Sequence, residues 1–510
     1  MTDLHDAKDG ARDSSETGAA GSKGADHDSE RDAERAFRRW LLVIALVSFV
    51  WRIIYVLVWR ADVRIWGDAC FYHESAKLIA EGHGFVHPIT PSEQAADHPP
   101  LYLVFLAALS RLGFTSALSH ILGTVVVGTF SVVAAAYAAR ELAGRRAGLI
   151  AAVLFTVYAG IWSWDGMLLS ETLAILFVTV LILLVYRFWK SPSLGRAIGI
   201  GAVLGLCTFS RAELLLLSLL VVTPLILASR ARPWKTRIGW LFASGAACAA
   251  VLAPWVGYNL SRFDQTVTLS AGGEITLATA SCDHTFYGQF TGYWSMQCPI
   301  EFLEKNGYQA VRVDEATVGD VCGVPDARAP EDGDDVVPLG AGDSAAGSTG
   351  NGEGDPEGDQ SVRSEIYSRE SLSYLRDHVD RLPVVVLARW GRITGTWNPI
   401  QQAQLDSFPE GRDQWISYLA LVQWYPMVAA AVVGGIALRR HRVPVYPLVG
   451  PLITVLVVVT IMFATNRYRA YAEAAIALLA AVGIDALIRL YQRIRNDPTD
   501  VPSDSIAATS

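Results

Sequence analysis

Long apolar blocks constrain this sequence more than any other feature. Trp40 to Trp59 is the first of them. About 20 consecutive apolar residues suffice to carry a helix across the hydrocarbon core of a bilayer. The blocks lack strand-like alternation, and hydrophobic residues make up 52% of the 510-residue chain. The fold class is therefore an all-α polytopic membrane protein. No internal repeat of about 20–50 residues is visible.

Further spans are expected at 117–139, 147–162, 168–187, 196–210, 213–229, 238–258, 414–438, 444–463 and 470–491, for a total of ten. Arg35, Arg38 and Arg39 precede the first span and place that end in the cytoplasm by the positive-inside bias. On this count "RELAGRR" (Arg140–Arg146), "RFWK" with Arg196, "RARPWKTR", "RRHR" and "RIR" all fall on the same side. Both ends of the chain are then cytoplasmic. The apolar stretch Leu101–Leu112 is too short to cross and is expected as an interfacial or re-entrant helix. The residues before about Arg35 are too polar for a secretory signal peptide, so the first apolar segment is expected as a retained span.

The net charge of -8 sits largely in two polar stretches and points to no acidic partner and no nucleic acid. The second stretch, 323–362, is rich in Gly, Asp, Ser and Pro and reads as a disordered insertion in a large outer loop. Cys207 and Cys248 lie in apolar spans and read as packing residues. Cys70 and Cys322 lie in outer loops, and Cys282 and Cys298 are spaced for a disulfide in an oxidising compartment.

The loops assigned to the outside carry the unusual polar residues. Asp68 opens a short amphipathic helix and reads either as a cap on free backbone N–H groups or as a general base at the membrane boundary. Glu171 sits one turn inside an apolar span, where an acid needs a partner or a cavity. Asp165 lies in the turn before it. Arg211 and Glu213 stand at the outer end of two spans, and "NRYR" adds Arg467 and Arg469 on the same face. Outer arginines suit either a phosphate held by bidentate hydrogen bonds or general lipid anchoring. No Walker loop, dinucleotide-binding glycine pattern or His-Glu-x-x-His is present.

"GDACFYHESAKLIAEGHGF" followed by "HPPLYLVFLAAL" resembles the first outer loop of GT-C glycosyltransferases, in the branch of protein O-mannosyltransferases and aminoarabinose lipid A transferases. "LLSETL", "FSRAEL" and "NRYR" are similar to later landmarks of those proteins. The resemblance covers about 40–260 and, loosely, the last three spans. It implies a GT-C fold and a sugar transferred with inversion from a polyprenyl phosphate to an acceptor hydroxyl at the extracytoplasmic face. Asp68 matches the catalytic base and Glu171 a second acid. Arg211, Arg467 or Arg469, and His98 match donor-phosphate residues, while Tyr72, Tyr102 and Asp165 are candidates for substrate binding. Gly67 stands where the family pattern has a second acid, so no cofactor is indicated and a divalent cation loses its usual signature.

Composition and apolar length divide the chain into a disordered cytoplasmic tail (1–36), a transmembrane module (37–260, first outer loop 60–116) that the resemblance makes catalytic, an extracytoplasmic loop (261–413) with the acidic insertion 323–362, C-terminal transmembrane helices (414–492) and a second disordered tail (493–510). The expected partners are a polyprenyl-phosphate-linked sugar, an acceptor protein, glycan or lipid, and the plasma membrane. The alternative is a transporter, flippase or non-catalytic scaffold for a lipid-linked saccharide.

Overall fold

The computed structural model describes residues 10–61, 65, 67–89, 93–229, 231–307, 360–407 and 411–496. Among them all regular structure is helical, apart from one isolated antiparallel bridge between Val86 and Gln94. Among the described residues, six helices are long and apolar enough to cross a membrane: Asp28–Arg60, Ala117–Ala143, Glu171–Lys190, Trp234–Leu260, Gln414–Arg440 and Asn466–Asn496. Arg145–Val157 and Ala159–Gly166, bent by 64°, form a seventh if they count as one span. Leu194–Ser210, Ala212–Leu227 and Tyr446–Ile461 are apolar but shorter. These helices coincide in position with the ten expected spans, yet by length and composition they give six or seven crossings. Leu101–Arg111 has 11 residues. At 1.5 Å per residue it reaches roughly 16 Å, about half the hydrocarbon thickness.

The helix Asn466–Asn496 is the axis of the molecule. Its stretch from Ala470 to Val482 is buried throughout, and it touches the helices Ala117–Ala143, Arg145–Val157, Glu171–Lys190, Gln414–Arg440 and Tyr446–Ile461. In lipid, helices gain little by hiding apolar surface from one another, so close packing must hold them. Alanine and glycine provide it. A Cβ on Gly434 would strike the carbonyl oxygen of Leu479, and one on Gly483 would strike that of Ala430. The first helix has the opposite character. Leu42, Leu46, Val50 and Ile54 form an exposed apolar stripe at helical spacing, suited to lipid.

Helix breaks inside the bundle have their backbone groups satisfied. At the bend after Val157, the Ala159 N–H donates to Gln423 Oε1 at 2.8 Å, and Gln423 Nε2 donates to the Val157 carbonyl at 3.1 Å. A non-helical backbone at membrane depth requires such partners.

Several basic residues pair with acids where helix ends meet. Arg140 pairs with Glu34 at 2.7 Å, Lys190 with Glu141 at 3.0 Å and Arg489 with Asp485 at 2.7 Å. Glu34 also pairs with Arg38 and lies 3.5 Å from Arg145. These pairs explain why residues 28–36, expected in the tail, continue the first helix. Residues 1–9 and 497–510 of the expected tails and 323–359 of the expected insertion lie outside the described residues. Cys282 and Cys298 are disulfide-bonded, whereas Cys207 and Cys248 are buried thiols. Cys70 is also in a disulfide.

Gly434→Val should separate the helices around Gly483 and lower stability by about 1–3 kcal/mol. The unfolding midpoint of the detergent-solubilised protein reads this. Gly435→Val, whose added carbon meets only ordinary contact with Val445, should leave the midpoint nearly unchanged.

Candidate functional site

Beyond the first span the chain must turn sharply along the surface of the bundle. Gly67 makes that turn with φ +56°, a left-handed value that glycine adopts without strain. An acid at this position would meet the steric penalty that glycine avoids, which gives a physical reason for the departure noted in the sequence. The helix Gly67–Glu81 begins here and carries Asp68 in its first turn. The contacts of this carboxylate lead away from its own helix. Oδ2 accepts from Arg467 Nη1, and Oδ1 lies 3.6 Å from His98 Nε2.

Arg467 belongs to the first turn of the axial helix, almost 400 residues away in sequence. Its Nε donates to Glu171 Oε1, so one guanidinium joins Asp68 and Glu171. Glu171 Oε1 also accepts from Arg211 Nη1 at 2.5 Å, and Arg211 Nε donates to Glu213 Oε1 at 2.7 Å. The ring of Tyr468 lies 5.1 Å from the Arg211 guanidinium, in cation–π range. Glu171 is fully buried, and its Oε2 has no hydrogen-bond partner among the described residues. Asp68 keeps 40% of its side chain exposed. The cluster therefore has a buried acid at its base and a partly exposed acid at its rim, with two guanidiniums between.

Burial by itself would raise the Asp68 pKa. The charges of Arg467 and His98 outweigh it and hold the carboxyl well below the ordinary carboxylate range. Asp68 is thus ionised at neutral pH.

His98 is placed by aromatic packing and a clamp. It stacks on Tyr72 with centroids 4.7 Å apart and planes at 23°, and Tyr102 packs edge-on against Tyr72 at 5.0 Å. Tyr72 and Tyr102 are both buried, and the Tyr102 hydroxyl meets Thr124 Oγ1 at 3.2 Å. Both tyrosines line the floor under His98. Arg262 donates to the carbonyls of Phe85 and Ala95 at 2.8 and 2.7 Å. Gln360 Nε2 reaches Asp97 Oδ1 at 2.6 Å, and Arg363 pairs with Glu93 at 2.8 Å. Arg262, Gln360 and Arg363 thereby hold the segment before His98.

The structure brings Asp68, His98, Glu171, Arg211 and Arg467 together and separates two other sequence candidates from them. Asp165 is buried against Arg52 and accepts from Thr172 Oγ1 at 2.8 Å. Gly128 leaves no room beside it, since a Cβ there would overlap the carboxylate. Arg469 points the other way, to Glu473 at 2.6 Å and the Ile393 carbonyl at 2.8 Å, and lies over Trp424 at 3.9 Å. Of the two arginines in "NRYR", Arg467 meets the acids. Sequence reasoning missed Arg52 as the partner of Asp165. An arginine inside an apolar span was the available signal. It also missed the clamp residues Arg262, Gln360 and Arg363, which no local pattern marks.

Guanidiniums carry five N–H donors in a planar fork that suits phosphate oxygens. Among the described residues, no group of three or more His, Cys, Asp or Glu side chains is arranged to hold a metal ion.

Comparison with known protein families covers part of this site, His98, Glu171 and Arg211 but neither Asp68 nor Arg467. The family model for dolichyl-phosphate-mannose-protein mannosyltransferases matches residues 97–258. No curated protein matches the chain. Among solved structures, the oligosaccharyltransferase AglB from Archaeoglobus fulgidus, in complex with an inhibitory peptide and a dolichol-phosphate, is similar at 15% identity and a TM-score of 0.47. That alignment covers 90% of this chain and 51% of AglB, so the chain spans about half of AglB's length. ArnT from Cupriavidus metallidurans bound to undecaprenyl phosphate is similar at 13% identity and a TM-score of 0.40, covering 92% of this chain and 81% of ArnT.

Two outcomes check the geometry without assuming an activity. Arg467→Gln should raise the pH at which Asp68 protonates toward its ordinary value of 3.8, as read from the carboxyl signal by ¹³C NMR. Asp165→Asn should leave Arg52 buried without its counter-ion and cost about 3–5 kcal/mol, seen as a lower unfolding midpoint.

Proposed function

Taking the chain as a member of the GT-C superfamily of membrane glycosyltransferases, on the match over residues 97–258, we propose that it moves a sugar from a polyprenyl-phosphate donor to an acceptor hydroxyl. The reaction runs at the extracytoplasmic face of the plasma membrane, with inversion at the anomeric carbon and both termini cytoplasmic. The observation that carries this reading is the meeting of Asp68 and Glu171 on Arg467, with Arg211 bound to the same Glu171 oxygen.

The proposed chemistry follows from that arrangement. An acceptor hydroxyl at the exposed rim gives its proton to Asp68 as its oxygen bonds the anomeric carbon. The bond from that carbon to the phosphate oxygen breaks on the opposite face. The departing polyprenyl phosphate takes the electron pair, and Arg211 and Arg467 stabilise the charge that develops. Glu171 holds both guanidiniums in place. His98, fixed on Tyr72, orients Asp68 or the phosphate. A polyprenyl chain lies in lipid while its phosphate sits at the boundary, where the outer ends of the spans put these arginines. No resident cofactor enters this scheme.

The protein reconstituted in liposomes with radiolabelled polyprenyl-phosphate sugars, mannose first, should release or transfer the sugar. Asp68→Asn should retain the fold and lose turnover by about 10²–10⁴-fold, the usual contribution of a positioned base. Equal turnover by both forms would remove Asp68 from the mechanism. Binding of donor without turnover by the wild type would favour a transporter or scaffold.

A further inference from the structure

Arg467 joins the acids of the site only if the first turn of the axial helix is held in register. That turn lies under the large outer loop. The first N–H groups of any helix lack intrahelical partners and need acceptors from elsewhere. Asp406, in the outer-loop helix Pro399–Ser407, supplies one. Its Oδ2 accepts the Asn466 N–H at 3.1 Å. Its Oδ1 accepts the Thr465 hydroxyl at 3.1 Å, and Thr465 Oγ1 in turn accepts the Arg467 N–H at 3.4 Å. The carboxylate is 1% exposed and sits at the positive end of a 31-residue helix dipole.

Asp406 is itself held. Gln402 Nε2 donates to its Oδ1 at 2.8 Å, and Arg392 Nη1 donates to Gln402 Oε1 at 3.1 Å. Arg392 also donates to the carbonyls of Thr291 and Gln289, both at 2.8 Å. Those two residues lie between the bonded Cys282 and Cys298. The same disulfide-closed segment touches the approach to the helix directly, where the Ala464 N–H donates to the Gly292 carbonyl at 3.0 Å. An unbroken series of hydrogen bonds thus runs from the outer loop through Arg392, Gln402 and Asp406 to the backbone of Arg467.

We infer that Asp406 is a positioning residue, which sets Arg467 against Asp68 and Glu171 from a helix outside the transmembrane module. Its effect on turnover rests on the transferase reading. Its effect on the start of the axial helix does not.

The test compares Asp406→Ala, which removes every acceptor, with Asp406→Asn, which keeps an oxygen for the Asn466 N–H. Asp485→Asn, at the opposite end of the same helix, controls for general loosening. In Asp406→Ala, amide hydrogen exchange over 465–469 should lose protection while 475–482 keeps it. The value of kcat should fall about tenfold, the equivalent of ~1.4 kcal/mol, and the pH of Asp68 protonation should rise. Asp406→Asn should stay within about threefold of wild type, and Asp485→Asn should leave both the exchange over 465–469 and the Asp68 protonation unchanged.

Wild-type protection over 465–469 in Asp406→Ala would overturn the inference. So would lost protection with an unchanged Asp68 protonation and wild-type kcat. If the wild type transfers no sugar from any polyprenyl phosphate, the transferase reading fails alone. The exchange and protonation results then decide whether Asp406 positions Arg467.

Discussion

One guanidinium ties three parts of the chain together. Arg467 starts the axial helix, Asp68 starts the surface helix after the first span, and Glu171 starts the fourth long apolar segment along the chain. A charge near the membrane is costly unless paired, and one left behind after its partner is removed is costlier still. Satisfying Glu171 therefore requires Arg467 and Arg211 to be where they are. Their positions fix the start of the helix Asn466–Asn496 and the end of Leu194–Ser210, and with them the floor on which Asp68 rests.

The arrangement separates rigid from adjustable parts. The deep half of the cluster, Glu171 and its two arginines, belongs to packed helices. The rim, Asp68 and His98, belongs to a surface helix and a loop that other loop residues grip. Arg262, Gln360 and Arg363 hold the His98 segment by backbone and side-chain bonds. The proposed transfer uses this division, since a hydroxyl must reach one carboxylate while the arginines stay screened from water.

The fold was largely legible in the chain. Apolar length located the helices. The number of crossings was less legible, because Leu194–Ser210, Ala212–Leu227 and Tyr446–Ile461 are apolar yet short. Of the five candidate site residues that come together, four are legible as an acid or an arginine at the edge of an apolar block, and the fifth, His98, belongs to the loop motif that follows. The same rule misled for Asp165, whose burial is balanced by Arg52 from the first span. It also could not choose between Arg467 and Arg469, two residues apart and therefore pointing to different sides of one helix. The outer-loop contacts were invisible for a different reason. Residues such as Asp406 and Gln360 are ordinary loop polar residues until the fold brings a helix start or a second loop against them.

The axial helix has 31 residues. At 1.5 Å each, its length is roughly 46 Å, well beyond a hydrocarbon core of about 30 Å. Arg467 stands at one end, and the basic residues Arg489, Arg493 and Arg495 crowd the other. Buried among its neighbours, a rod of that length cannot tilt by itself and answers a change in bilayer thickness only together with the bundle around it. Arg467 then keeps its register with Asp68 and Glu171 whatever the lipid, because all three ride on the same packed body.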